Sequence, residues 1–133
     1  LLSEFLSLGI TIVMATPYLD EAERCARVAL LHQGALLALD RPDALRASLS
    51  GSLFEVVVDD HRRAAAFLRS LSVVREVYMF GERAHVRVAR ADSTTIAALR
   101  AALEQAGFRV DEIRPIATSL EDVFIAKLHE ATS

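Results

Sequence analysis

The side chains best suited to chemistry lie in a short turn, Thr16-Pro17-Tyr18, and in the acidic segment 20–23 that follows it. Thr16 and Tyr18 each supply a hydroxyl group, whereas Pro17 has neither a polar side chain nor a backbone N–H. The turn follows an apolar segment, residues 10–15, that is typical of a parallel strand buried on both faces. Ligands bind at the carboxyl ends of such strands in open α/β sheets, so this turn is the first candidate for a binding site.

The elements around this turn are predicted to be a helix, a strand and a second helix. Three apolar residues at helical spacing precede the strand: Leu2, Phe5 and Leu6. Gly9 then occupies the position at which helices commonly end in a left-handed cap. Pro17 suits the first turn of the following helix, and the carboxylates at 20, 21 and 23 lie near the positive end of its dipole. The segment therefore predicts a βα unit of an α/β sheet.

The histidines and the single cysteine do not indicate a metal or redox site. The histidines are spread singly along the chain, at His32, His61, His85 and His129. No two of them have the spacing of metal ligands on one helix face. His85 alternates with Val86 in a predicted strand and is expected to face outward. Cys25 lies near the end of a predicted helix, where we expect a small buried side chain rather than a reactive thiol.

Composition excludes several classes of function. The net charge of −3 and the pI near 5.8 provide no electrostatic attraction for nucleic acid. No apolar run approaches the roughly 18 residues of a membrane-spanning helix, and a lone cysteine cannot form an internal disulfide. The chain begins without Met, inside a predicted helix. We therefore expect it to be a piece of a longer protein.

Two predicted units follow from the patterns along the chain. Residues 28–31 and 35–39 are short apolar strands joined around Gln33-Gly34, which indicates a hairpin, and Pro42 opens a short helix. These elements complete a first unit, 1–49, and residues 50–52 are predicted to be a linker. The second unit, 53–133, alternates strands with helices in the order βαββαβ, a ferredoxin-like fold. Its elements are predicted at residues 53–59, 62–71, 74–80, 84–90, 92–107 and 108–116.

A final helix is predicted from residue 119, where Ser119 and Asp122 have the spacing of a capping box. Four apolar residues form a stripe along it: Leu120, Val123, Phe124 and Leu128. Such a stripe is too apolar to remain in water. We expect it to pack on its own ferredoxin-like unit or on the same helix of a second subunit.

The two ends of the chain resemble the ATP-binding subunits of ATP-binding cassette (ABC) transporters. Residues 9–25 resemble the segment in which a buried strand leads into a turn written Thr-His and then into an acidic helix. The tail Leu120-Glu-Asp-Val-Phe124 resembles a motif that ends many drug- and antibiotic-exporter subunits after a small accessory domain. In that family the histidine of the turn reaches the γ-phosphate of ATP. Pro17 occupies its position here, and the resemblance leaves Thr16 and Tyr18 as candidates to replace it.

The resemblance implies a function for the parent protein that this chain cannot perform alone. The sequence has no G-x-x-x-x-G-K-[ST] phosphate loop, no Ser-Gly-Gly signature loop and no strand ending in the magnesium and catalytic carboxylates. No cofactor and no catalytic residue is therefore expected in this fragment, whereas the intact parent is expected to hydrolyse ATP with Mg²⁺. Its accessory domain is expected to serve dimerisation or regulation of that hydrolysis.

The resemblance also implies partners and a location. The partners are the rest of the nucleotide-binding domain, a second ATPase subunit or cassette, and a transmembrane permease domain, but no nucleic acid. The location is cytoplasmic, at the inner or plasma membrane through the permease. The main alternative is a stand-alone ferredoxin-like module that senses a small ligand or binds a protein, although it leaves residues 1–49 unexplained. Single-stranded RNA binding ranks last, because the second unit lacks a basic, aromatic face.

Overall fold

The structure, a computed structural model, describes residues 2–132, which form six α-helices and six β-strands. In chain order they are α1 Leu2–Ser7, α2 Leu19–Ala22, β1 Val28–His32, β2 Ala35–Asp40, α3 Pro42–Ala47, β3 Ser52–Val58, α4 His61–Arg69, β4 Val74–Phe80, β5 Arg83–Val88, α5 Thr95–Gln105, β6 Val110–Ile116 and α6 Leu120–Thr132.

The hairpin predicted around Gln33-Gly34 is confirmed. β1 and β2 pair antiparallel, and both turn residues have positive φ, 49° at Gln33 and 78° at Gly34. Two positive φ angles define a type I′ turn, whose twist matches that of the flanking strands. The helix α3 begins with Pro42 at its first position, also as expected, because the missing N–H of proline is not needed there.

The ferredoxin-like unit is confirmed by its strand order, β4-β5-β3-β6, with all three pairings antiparallel. Alternate residues of β3 face a core beneath α4 and α5, and Phe54, Val56 and Val58 are at most 5% exposed. This is the face that the period-two pattern predicted. The other face of the sheet meets α6, where Asp122 contacts His85 and His129 contacts the ring of Tyr78. The same helix also packs on the hairpin and α3.

The predicted strand at residues 10–15 is wrong for this structure. No strand lies between α1 and β1 in the described chain, and Val13 is 93% exposed. A strand buried on both faces needs neighbouring strands on both sides, and none of the described strands pairs with this segment. Gly9 does end α1 with a positive φ of 78°. Pro17 lies two residues before α2 rather than in its first turn, because Tyr18 is the N-cap.

Candidate functional site

The turn at residues 16–18 is closed by its own hydrogen bonds. Thr16 Oγ1 donates to Glu21 Oε2 at 2.6 Å, and the backbone N–H of Tyr18 donates to Thr16 Oγ1 at 3.0 Å. The Thr16 hydroxyl and the Tyr18 backbone N–H are thus already engaged, and Pro17 offers no N–H. The Tyr18 side chain extends into solvent, 63% exposed. In this structure the turn is thus held by bonds within residues 16–21.

The segment after this turn is bonded to the last helix of the chain. Glu23 Oε1 accepts a hydrogen bond from the backbone N–H of Leu120 at 3.2 Å and one from Arg46 Nη1 at 3.2 Å. The N–H of Leu120 belongs to the first turn of α6, where backbone donors have no partner within the helix. One carboxylate therefore connects α2, α3 and α6.

An apolar cluster surrounds this bond. It is formed by Ala22, Val28, Leu30, Leu45, Leu120 and Val123. Leu120 and Val123 are completely buried in it, both at 0% exposure. Half of the predicted stripe therefore packs on residues 22–45, a surface that the sequence did not suggest. Phe124 and Leu128 are only partly buried, and Phe124 contacts the ring of His32 edge-on with centroids 6.4 Å apart.

The second face of the sheet carries a row of polar side chains, one on each strand. Arg114, Glu55, His85 and Tyr78 occupy neighbouring register positions on β6, β3, β5 and β4. Glu55 Oε2 accepts from Arg83 Nη1 at 2.8 Å and from Arg114 Nε at 2.7 Å. Its other oxygen, Oε1, lies 3.7 Å from His85 Nε2. Burial alone raises the pKa of Glu55, but the two arginines outweigh burial and lower that pKa below its usual range.

Asp122 joins α6 to this row. Its Oδ2 accepts from the backbone N–H and the hydroxyl of Ser119, at 2.8 Å and 2.9 Å, which confirms the predicted capping box. Its Oδ1 lies 2.8 Å from His85 Nδ1. Asp122 is 1% exposed. Burial raises its pKa, but the bonds from His85 and Ser119 prevail and hold that pKa below the ordinary value.

The prediction that His85 faces outward is wrong. Its side chain is 12% exposed and its ring stacks on Phe80, with centroids 4.1 Å apart. Alternation with Val86 correctly placed His85 on the second face of the sheet, but that pattern does not show that a helix covers the face. Two features of the sequence could have indicated this cover. They are the apolar stripe of the helix after the last strand and the polar residues at alternate positions of β5.

The part of the chain that the structure describes contains neither a metal-binding group nor a membrane-spanning helix. Within residues 2–132, no group of three or more His, Cys, Asp or Glu side chains is arranged to hold a metal ion. The same residues include no helix that is long and apolar enough to cross a membrane.

The sequence of this fold matches one known family over most of its length. Residues 41–128 match the family described as "ATP-binding protein DrrA1-3-like, C-terminal domain". The chain belongs to this family. The match confirms the resemblance to ABC drug-exporter subunits. It includes α3 as well as the ferredoxin-like unit and most of α6, so the division into units 1–49 and 53–133, with a linker at 50–52, stays a prediction.

Individual relatives agree with the family. The daunorubicin resistance ATP-binding protein DrrA2 of Streptomyces coeruleorubidus is 30% identical over 121 residues, which cover 88% of this chain and 38% of that protein. The probable multidrug ABC transporter ATP-binding protein YbhF of Escherichia coli (strain K12) is 44% identical over 39 residues, 29% of this chain and 7% of that protein. YbhF of Shigella flexneri matches to the same extent. The chain thus spans well under half the length of these relatives.

Proposed function

We propose that this chain is part of the ATP-binding, energy-coupling subunit of an ABC export transporter. Support comes from the family membership and from relatives named for daunorubicin resistance and multidrug transport. The order of motifs in the chain also supports it, because the segment that resembles the γ-phosphate turn precedes the segment that resembles the exporter tail.

ATP and Mg²⁺ are then bound by the longer protein, with this chain supplying only the turn. The chain lacks the phosphate loop, and the hydrogen-bonding groups of Thr16 and the N–H of Tyr18 are already engaged. The apolar side chains that remain exposed suit packing against the rest of the nucleotide-binding domain. They include Ile10, Val13, Met14, Leu31, Leu36 and Leu39.

We further propose that the ferredoxin-like unit regulates hydrolysis through α6. The observation that carries this proposal is the bond from the N–H of Leu120 to Glu23. Glu23 lies six residues after Pro17, at the end of the helix that follows the turn. A displacement of the turn on ATP binding would shift α2, and the buried contacts of Leu120 and Val123 would pass that shift to α6. Packed elements transmit such shifts because they have few alternative arrangements.

The remaining partners follow from the same proposal. A second ATPase subunit or cassette and a transmembrane permease complete the transporter, at the cytoplasmic side of the inner or plasma membrane. The partly exposed Phe124 and Leu128 are the part of the α6 stripe still available to a second subunit.

Two measurements test the proposal. In titration calorimetry this chain alone should show no micromolar ATP binding, which would correspond to about −8 kcal/mol, whereas the longer protein should bind ATP with Mg²⁺. Addition of ATP to the longer protein should also change amide hydrogen exchange in residues 120–128. Glu23→Ala should abolish that change, and Glu121→Ala, an exposed carboxylate on the same helix, should leave it intact. A response that survives Glu23→Ala would contradict coupling through the bond between Glu23 and Leu120, and no response in residues 120–128 of the wild type would contradict coupling through α6; neither result affects the assignment as an ATP-binding subunit.

A further inference from the structure

A cavity of about 250 Å³ lies beside the end of α6, away from the turn at residues 16–18. Its walls are the segment 48–50, which joins α3 to β3, the neighbouring strands β4 and β5, and the last part of α6. The residues that line it are Ser48, Leu49, Ser50, Arg75, Glu76, Arg87 and Glu130. Nothing in the proposed function uses this cavity.

Arg87 supplies the first indication that the cavity is a binding site. Its side chain is 3% exposed, and its Nε donates to Glu76 Oε2 at 3.1 Å. The two terminal nitrogens, Nη1 and Nη2, are buried and have no hydrogen-bond partner among residues 2–132. Buried polar atoms are nearly always paired in native proteins, since leaving a buried donor unsatisfied costs free energy. A ligand with acceptor oxygens would satisfy them.

Arg75 supplies the second indication. The pairing of β4 with β5 shifts register between Val74 and Glu76, which makes Arg75 the extra residue of a β-bulge. Bulges redirect a side chain and are common beside functional sites. Here the Arg75 guanidinium reaches the segment before β3, where Nη1 donates to Ser50 Oγ at 3.1 Å. The bulge thus brings a second arginine to the cavity that Arg87 lines.

The carboxylates of the cavity, Glu76 and Glu130, do not accept hydrogen bonds from Nη1 or Nη2 of Arg87. Glu76 is engaged by the Nε of Arg87, and Glu130 lies 3.7 Å from Lys127 Nζ on its own helix. The Oγ of Ser50 accepts from Arg75 and can still donate its own proton. The donors of Arg87, Arg75 and Ser50 come from three side chains around the cavity, whereas the acceptor positions of a carboxylate lie in one plane. A tetrahedral oxyanion presents its oxygens in several directions and suits such a set.

We propose that this cavity binds a tetrahedral oxyanion of the phosphate class between Arg75 and Arg87. Because Nη1 and Nη2 of Arg87 are covered, the ligand enters when the last turn of α6, which bears Glu130, moves aside. The last turn of a helix frays at low cost. Glu130 lines the same cavity and repels an anion, so its negative charge lowers the affinity for the ligand.

The test is a titration of this chain with inorganic phosphate at neutral pH, with chloride adjusted to hold ionic strength constant, followed by the amide NMR shifts of residues 48–50, 75, 76 and 87. Saturable shifts are expected. Arg75→Ala should weaken binding at least tenfold, and Glu130→Gln should strengthen it. Arg90→Ala, which removes an exposed arginine outside this cavity, should leave binding unchanged.

Three results would overturn the proposal. They are shifts that do not saturate, equal affinity in the wild type and Arg75→Ala, and acetate binding as tightly as phosphate, which would exclude the tetrahedral class. Arg75 is exposed, so Arg75→Ala keeps the fold and remains informative even where Arg87→Gln does not fold.

Discussion

Oδ1 of Asp122 lies 2.8 Å from Nδ1 of His85, so the first turn of α6 is bonded directly to a central strand of the sheet. The other oxygen of Asp122 closes the capping box of the same helix. One buried carboxylate thus both caps the helix and bonds it to the sheet.

Replacement of Asp122 by alanine should destabilise the chain strongly. The change removes the contact of Asp122 with Nδ1 of His85 and leaves the N-terminus of α6 without its cap. Loss of one member of a buried pair typically costs about 3–5 kcal/mol. Urea denaturation followed by circular dichroism measures the loss. Glu121→Ala, at the neighbouring exposed position, should change stability by less than about 0.5 kcal/mol. Similar losses in the two variants would show that the His85 bond contributes little.

Stability should fall in acid because the pKa values of Glu55 and Asp122 are lowered in the folded chain. Both groups are more acidic folded than unfolded, where Asp and Glu titrate near about 3.9 and 4.3. Their ionised contacts with Arg83, Arg114 and His85 therefore stabilise fully above about pH 5, and this stabilisation is lost as pH falls below the unfolded values and through the lower pKa values of the folded chain. Urea midpoints measured from pH 7 to pH 3 should fall less steeply for Asp122→Asn than for the wild type. If the urea midpoints of the two proteins fall equally with pH, the loss of stability in acid comes from carboxylates other than Asp122.

The apolar stripe of α6 should divide into two halves with different consequences. Leu120→Ala empties a completely buried site and should cost about 2–5 kcal/mol. Phe124 is only half-buried, so Phe124→Ala should cost about 1–2 kcal/mol within the chain. Sedimentation at several concentrations then tests the dimer. If the wild type associates, Phe124→Ala should weaken that association. A wild type that stays monomeric at high concentration would exclude a dimer through this helix.

Gly51 should tolerate alanine less well than Gly81. Both have positive φ, 98° and 62°, which strains any residue with a Cβ. A Cβ at Gly51 would also collide with the carbonyl oxygen of Val88, whereas one at Gly81 meets nothing within 4 Å. Gly81→Ala should therefore cost about 1–2 kcal/mol, and thermal denaturation should show a clearly larger loss for Gly51→Ala. Equal losses would mean that the segment before β3 can move away from β5.

Pro17→His should raise ATP turnover in the longer protein. The prediction follows from the sequence resemblance, which aligns Pro17 with the histidine that contacts the γ-phosphate, and proline offers no polar group in that place. Steady-state hydrolysis by the longer protein, with and without its partner subunit, measures the effect. Pro17→Ala is the matched control, since it removes the ring without adding an imidazole. If neither change alters the rate, residues 16–18 do not contact the nucleotide.

The sequence predicted the elements whose signals are local. Alternation of Phe54, Val56 and Val58 defines the buried face of β3, and Gln33-Gly34 defines the hairpin of β1 and β2, because both signals act between near neighbours. The polar row was not predicted, since His85 is covered only when α6 returns across the sheet from 37 residues away. The prediction of a strand at residues 10–15 was wrong because its local signal was not matched by partner strands. Its residues favour a strand, but a strand forms only with partners.

The bond between Glu23 and Leu120 joins residues 97 positions apart, and this separation affects how the chain folds during synthesis. The ribosome releases the hairpin long before α6 exists. Contacts that close large loops form late because of their entropic cost. The four-stranded sheet can assemble once β6 emerges. At that stage Val28 and Leu30, on the inner side of the hairpin, are not yet covered by Leu120 and Val123. During synthesis the inner side of the hairpin should therefore stay an open apolar surface until α6 emerges, and a chaperone could bind there. Truncation before residue 120 should promote aggregation for the same reason.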